Sequence, residues 1–117
     1  MIRRYFKKAD LEHQIVQYIG DALNILPNLD LKIDLAFIDA DKKNYPLYFD
    51  LLIEKMNPGG LIIADNVLWS GKVIEKLDPS DLATKALIEY NNKIHEDPRV
   101  ENILLPIRDG LMLCQKK

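Results

Sequence analysis

The chain has 117 residues, enough for one small domain, and 48% of them are hydrophobic, which excludes a disordered polypeptide. Its 16 basic and 18 acidic side chains leave a formal charge of −2, so there is no broad basic footprint for nucleic acid. Cys114 is the only cysteine, which excludes an internal disulfide, and no apolar stretch approaches the roughly 20 residues of a membrane span.

The basic start, Met1 to Lys8, is not followed by the apolar core of a signal peptide. Residues 3–12 read as the end of an amphipathic helix. Ile15 to Ile19 is a short β-branched run, a strand candidate stopped by Gly20. Asp21 can cap a short helix through Leu26, which Pro27 ends. Residues 33–38 form a second strand candidate, almost continuously apolar, as strands covered on both faces are. Residues 44–56 read as a helix with Leu47, Leu51, Leu52 and Met56 on one face. Pro58-Gly59-Gly60 breaks it and leads into a strand at 61–64. Residues 66–80 read as a long functional loop. Pro79-Ser80-Asp81 opens a helix to about His95, with Ala83, Leu87, Tyr90 and Ile94 at helical spacing, and Asp97-Pro98 ends it. Two strands at 101–107 and 111–115 flank Arg108-Asp109-Gly110, where Asp-Gly between apolar runs signals a hairpin. Cys114 lies in the second of these runs and is expected to be a packed, reduced thiol, consistent with a cytoplasmic protein.

Alternation of helix and strand argues an α/β fold with a mostly parallel sheet and a terminal antiparallel hairpin. Open sheets of this kind bind ligands beyond the carboxyl ends of their strands. Asp39 and Asp41 follow one such end, Asp65 and Asn66 another. Two carboxylates and a carboxamide, with no paired histidine or thiolate nearby, are hard oxygen donors that suit Mg²⁺ or Ca²⁺ better than zinc. Lys42, three residues past Asp39, can serve as a general base, and Trp69 can wall a flat substrate. Each residue also has a plainer reading: Asp as helix cap or turn, Lys42 as a solvated charge beside Lys43, Trp69 as packing. His13 and His95 show no ligand spacing and read as surface residues. Coincidence at two strand ends favours a site over any single residue.

The segments Phe37-Ile38-Asp39-Ala40-Asp41-Lys42-Lys43-Asn44-Tyr45 and Pro58-Gly59-Gly60-Leu61-Ile62-Ile63-Ala64-Asp65-Asn66-Val67-Leu68-Trp69-Ser70-Gly71 closely resemble the cation-dependent O-methyltransferases, among them the caffeoyl-CoA and catechol enzymes. Leu105 to Leu111 resembles that family's terminal hairpin, and Gly20-Asp21-Ala22-Leu23 its adenine-side loop. The resemblance implies a Rossmann-like methyltransferase fold, S-adenosylmethionine as methyl donor, a divalent metal, and a phenolic hydroxyl of a small catechol-like molecule as acceptor. By position it makes Asp39, Asp65 and Asn66 metal ligands and Lys42 the base. It assigns Gly20, Asp21, Ala22 and Asp41 to the cofactor, and Trp69 to the acceptor pocket.

The family's chains are longer, and their glycine-rich cofactor loop and ribose-binding acid have no counterpart here. The chain is therefore expected to be a single domain, the carboxy-terminal portion of the fold without its first two strands, and to bind the cofactor weakly or not at all alone. The missing strands would leave 33–38 as an apolar edge, which invites a homo-oligomer, an exchange of elements, or a move of 15–19 beside it. Two rival readings stand beside the enzyme. One is a non-catalytic, oligomerising remnant. The other is a phosphohydrolase using the Asp39-x-Asp41 pair, although Lys43 stands where that family wants Thr or Val.

Overall fold

The computed structural model describes residues 1–117. Four strands form one sheet in the order β1-β2-β4-β3, where β1 is Ile33–Ile38, β2 Met56–Asp65, β3 Val100–Leu105 and β4 Leu111–Lys116. β1 and β2 run parallel, joined by helix α3, Tyr45–Lys55, after the loop and turn that follow β1. β4 pairs antiparallel with both β2 and β3. The α/β class and the terminal hairpin are as expected, and the sheet is mixed, with one parallel pair.

Helices α1, Ile2–Lys8, and α2, Ala22–Ile25, precede the sheet; α4, Leu82–Glu96, precedes the hairpin. Asp21 caps α2 through Leu23 N–H, and Asp81 caps α4 through Thr84 N–H, the role short acidic side chains take at helix starts. α3 and α4 pack on the same face of the sheet. Their contact is an aromatic cluster: Tyr90 meets Tyr45 edge-on at 5.5 Å and Phe49 at 6.4 Å. Ile38, Ile62, Ala64, Met112 and Cys114 complete the core from the strands. Cys114 is the packed thiol expected, pushed up to about 12 by burial.

Three expectations are corrected. Residues 15–19 form no strand: 16–19 make no backbone hydrogen bond, and Val16 and Ile19 are exposed. A short extended run has no stability without a neighbour to pair with, and none lies beside it. Of the four residues read on one face of α3, Leu52 and Met56 are buried, but Leu47 is 50% exposed, and the buried face is otherwise Tyr45, Pro46, Tyr48, Phe49 and Ile53. The aromatic residues, with more area to bury, turn the helix away from Leu47. Finally, β1 is covered on one face only. Leu35 and Phe37 are 61% and 58% exposed, because α3 and α4 leave the opposite face of the sheet bare.

β2 also starts earlier than expected. Met56 pairs with Ile33 and Leu61 with Leu35, so residues 57–60 bulge from the ladder. A Cβ on Gly60 would stand 2.8 Å from both the Asn57 carbonyl oxygen and the Met56 methyl, so the bulge requires glycine there.

Candidate functional site

The register sets the site. Ile38 pairs with Ala64 across the parallel β1–β2 ladder, so Asp39 and Asp65 leave neighbouring strands at the same level. The two ends are tied by a residue the sequence did not single out. Tyr45, fully buried at the start of α3, donates its hydroxyl proton to the Asp65 carbonyl at 2.8 Å, with the Ile38 carbonyl 3.3 Å away. Burial, and then the charges of Asp39, Asp65 and Asp41, hold this phenol far above its ordinary range. It stays neutral.

Lys42 opens a 3₁₀ turn, Lys42–Asn44, directly after the β1 end. Its ammonium donates to Tyr45 Oη at 2.7 Å and to Asp39 Oδ1 at 3.1 Å. It also lies 4.8 Å from the centre of the Tyr45 ring and 5.9 Å from that of Trp69, within the range of cation–π attraction. The Lys42 side chain is only 10% exposed, against 56% for Asp39. It is thus an ammonium held by two partners and not a free surface charge. The half-buried Trp69 stands beside it, at the start of the 3₁₀ segment Trp69–Ile74.

Asp65 Oδ1 accepts the Asn66 backbone N–H at 2.7 Å. Asn66 has φ 64°, a left-handed conformation that asparagine tolerates better than most residues. Its side-chain NH₂ faces Asp109 Oδ2 at 3.3 Å, across to the β3–β4 turn. Asp39 Oδ2, Asp65 Oδ2 and Asn66 Oδ1 carry no protein hydrogen bond. No group of three or more His, Cys, Asp or Glu gathers as a metal cluster. The strand ends therefore offer three unengaged hard oxygens from two acids and one amide, a donor set that fits Mg²⁺ or Ca²⁺ and leaves coordination positions open.

The residues assigned to the cofactor lie on the other side of β1. Asp41 accepts hydrogen bonds from Tyr48 Oη and Asn44 Nδ2. The Tyr48 hydroxyl is pushed up to about 12 by burial, its bond to Asp41 and the Asp41 charge, with a further contribution from Asp21. Gly20, φ 144°, turns the chain into α2. Ala22 shares an open, mostly apolar groove of about 450 Å³ with Phe37, Asp39, Ala40 and Tyr48, a volume in the range of small-molecule sites. With Asp41 held by two neighbours, no free acid stands two residues from Asp39, which removes support from the phosphohydrolase alternative.

Sequence reading missed Tyr45, Tyr48 and Asp109. Tyr45 and Tyr48 lie three and six residues after Lys42, so helical spacing could have placed both behind the strand end. Asp109 read only as a turn residue. No helix is long and apolar enough to cross a membrane.

The O-methyltransferase family model matches residues 1–117. The chain is 37% identical over 123 residues to tricin synthase 2 of Oryza sativa subsp. japonica, covering 94% of this chain and 41% of that protein. It is 39% identical over 124 residues to caffeoyl-CoA O-methyltransferase 2 of Populus trichocarpa, covering 94% and 49%. Among solved structures, the O-methyltransferase from Bacillus cereus in complex with SAH superposes with a TM-score of 0.88 at 30% identity, over 98% of this chain and 56% of that one. The chain thus spans about half the length of these proteins. It belongs to the O-methyltransferase family.

Proposed function

We propose that this chain carries the metal and acceptor corner of an S-adenosylmethionine-dependent O-methyltransferase acting on a phenolic, catechol-like hydroxyl, as the carboxy-terminal portion of that fold. The observation that carries the reading is the side-by-side exit of Asp39 and Asp65 from paired strands, with Lys42 held between Asp39 and Tyr45.

In this reading Asp39, Asp65 and Asn66 hold a divalent cation, Mg²⁺ or Ca²⁺. When bound, that ion would orient the acceptor oxygen and lower its pKa. Lys42 must first give up one ammonium proton to solvent; its neutral amine then takes the proton of the acceptor hydroxyl onto Nζ, with Asp39 and Tyr45 fixing its direction. Trp69 stacks on the flat ring and keeps water from one side. Gly20, Asp21, Ala22 and Asp41 would contact the methyl donor, with Ala22 lining the apolar groove; SAH, present in the Bacillus cereus structure, is that donor after loss of its methyl group. Alignment of donor and acceptor supplies most of the rate. The buried free thiol supports a cytoplasmic setting.

Calorimetry with Mg²⁺ and S-adenosylmethionine, followed by transfer of a labelled methyl group to catechol, tests this. Transfer lost by at least about 100-fold in Lys42→Ala supports the base role. Metal uptake without transfer moves the chain to the second reading, a non-catalytic protein. That reading is favoured by the bare sheet face. Under either reading we propose a homo-oligomer in which 15–19 of one copy pairs with the open β1 edge of another. Both are apolar, exposed and unpaired. A monomer in light scattering would remove this proposal.

A further inference from the structure

We propose that Asp109, in the β3–β4 turn, is the positioning residue that fixes which end of the Asn66 carboxamide points into the site. The inference rests on the reading of Asn66 as a metal ligand. An amide ligand works only oxygen-first, and a carboxamide can rotate to present either end. Ionised Asp109 has acceptors only. With Oδ2 3.3 Å from Asn66 Nδ2, it holds the NH₂ end and leaves Asn66 Oδ1 as the free one.

Asp109 cannot drift to follow Asn66. Its Oδ1 takes the Ser70 N–H at 2.6 Å, and its carbonyl takes the Leu68 N–H at 3.0 Å. The next carbonyl, of Gly110, takes the Val67 N–H at 3.2 Å. Gly110 has φ 82°, and a Cβ there would lie 2.5 Å from Leu68 Cγ, so the turn presses directly on the 66–71 loop. That loop holds three non-glycine residues at positive φ: Asn66, Trp69 and Ser70. Such a backbone persists only where its surroundings fix it, and Asp109 supplies bonds at both ends. The carboxylate that turns Asn66 is thus the one that anchors Ser70, next to the Trp69 ring over Lys42.

Asp109→Asn makes this specific. The new side chain must keep its oxygen toward the Ser70 N–H, so its NH₂ meets the Asn66 NH₂. Two donors cannot face each other, and the Asn66 amide rotates, turning nitrogen toward the site. Loss of an outer partner of this kind costs about 10–100-fold in metal affinity. The double variant Asn66→Asp/Asp109→Asn restores donor to acceptor with the polarity exchanged.

The experiment is a Mn²⁺ titration by calorimetry of the wild type, both single variants and the double. The proposal predicts a 10–100-fold loss in Asp109→Asn and recovery to within about threefold of wild type in the double. Additive losses in the double would overturn it. Asp109→Ser keeps a hydroxyl near Ser70 but no longer reaches Asn66, and should show the same loss of Mn²⁺ affinity while still unfolding cooperatively. Side-chain amide NMR of Asn66 in the metal-free protein separates the two levels of the reading. If the wild type takes up no Mn²⁺, the metal assignment falls. The Asp109 inference still stands or falls on whether the Asn66 NH₂ resonances move in Asp109→Asn and Asp109→Ser; unmoved resonances refute it.

Discussion

Tyr45→Phe isolates the strut between the two strand ends. It removes one oxygen and leaves the ring, so the edge-on contact with Tyr90 is kept and no cavity opens. The lost oxygen makes two strong bonds: donation to the Asp65 carbonyl at 2.8 Å and acceptance from the Lys42 ammonium at 2.7 Å. A neutral bond contributes about 1 kcal/mol and one to a charged group about 1.5–3 kcal/mol. Lys42 keeps its ion pair with Asp39, whose exposed carboxylate it can follow, so the lower part of that range applies. The expected loss is about 2–3 kcal/mol. For a domain of this size that lowers the melting temperature by about 10 °C and the urea midpoint by roughly 1.5 M. Tyr18→Phe, at an exposed tyrosine without a hydroxyl hydrogen bond, is the control and should change stability by less than about 0.5 kcal/mol. Urea denaturation of the three proteins decides the matter. If Tyr45→Phe is as harmless as Tyr18→Phe, the strand ends are not tied through the hydroxyl and the argument for a rigid corner is wrong.

Cys114 should resist iodoacetamide at pH 8–9 until the chain unfolds, because burial holds its thiol up to about 12. As its folded pKa is raised, its contribution is complete below the unfolded value of about 8.5 and is lost as pH rises toward 12, by about 1.4 kcal/mol per unit. Asp97 has the opposite sign. The Arg99 side chain holds it below the usual carboxylate range, so its contribution is present above about pH 3.9 and is lost as pH falls through the lower folded value. Asp97→Asn should lower stability at neutral pH and flatten the acid limb below about pH 4 in urea titrations. Gly110→Ala should cost at least about 2 kcal/mol, from its positive φ and the overlap with Leu68, and a calorimetric scan within 2 °C of wild type would refute that. Phe37→Lys should shift the particle toward the monomer in light scattering; an unchanged mass would show that the β1 edge is not the contact.

The parts of this fold that were legible from residues are those fixed locally. The Asp21 and Asp81 caps, the Asp-Gly hairpin and the apolar run of β2 each depend on residues within a few positions. What failed depends on partners distant in sequence. The run at 15–19 has strand composition but no neighbouring strand, and a strand without one is only extended chain. The stripe read on α3 kept Leu52 and Met56 in the core but lost Leu47, because Tyr90, 45 residues from Tyr45, offers Tyr45 and Phe49 a better surface. In the site, Asp39, Lys42 and Asp65 could be named because the strand ends are local features. Asp109 could not, since its link to Asn66 spans 43 residues and exists only once the hairpin closes on the loop.

The bare sheet face and the site are separable. Asp39 hangs from an edge strand, which by itself would leave a ligand loosely placed. Its neighbours, however, are rooted in the covered side of the sheet. Lys42 rests on Tyr45, Tyr45 on the Asp65 carbonyl and Tyr90, and Asn66 on the hairpin. None of these contacts passes through Leu35 or Phe37. The apolar groove beside Ala22, in contrast, is lined by Phe37 and opens along that outer edge. Covering the β1 edge should therefore bear on this groove, the proposed place of the methyl donor, far more than on the corner. In Phe37→Lys, Mn²⁺ affinity should stay within about threefold of wild type, while any affinity for S-adenosylmethionine falls. A parallel loss of both would mean that the corner draws its rigidity from the oligomer and not from Tyr45.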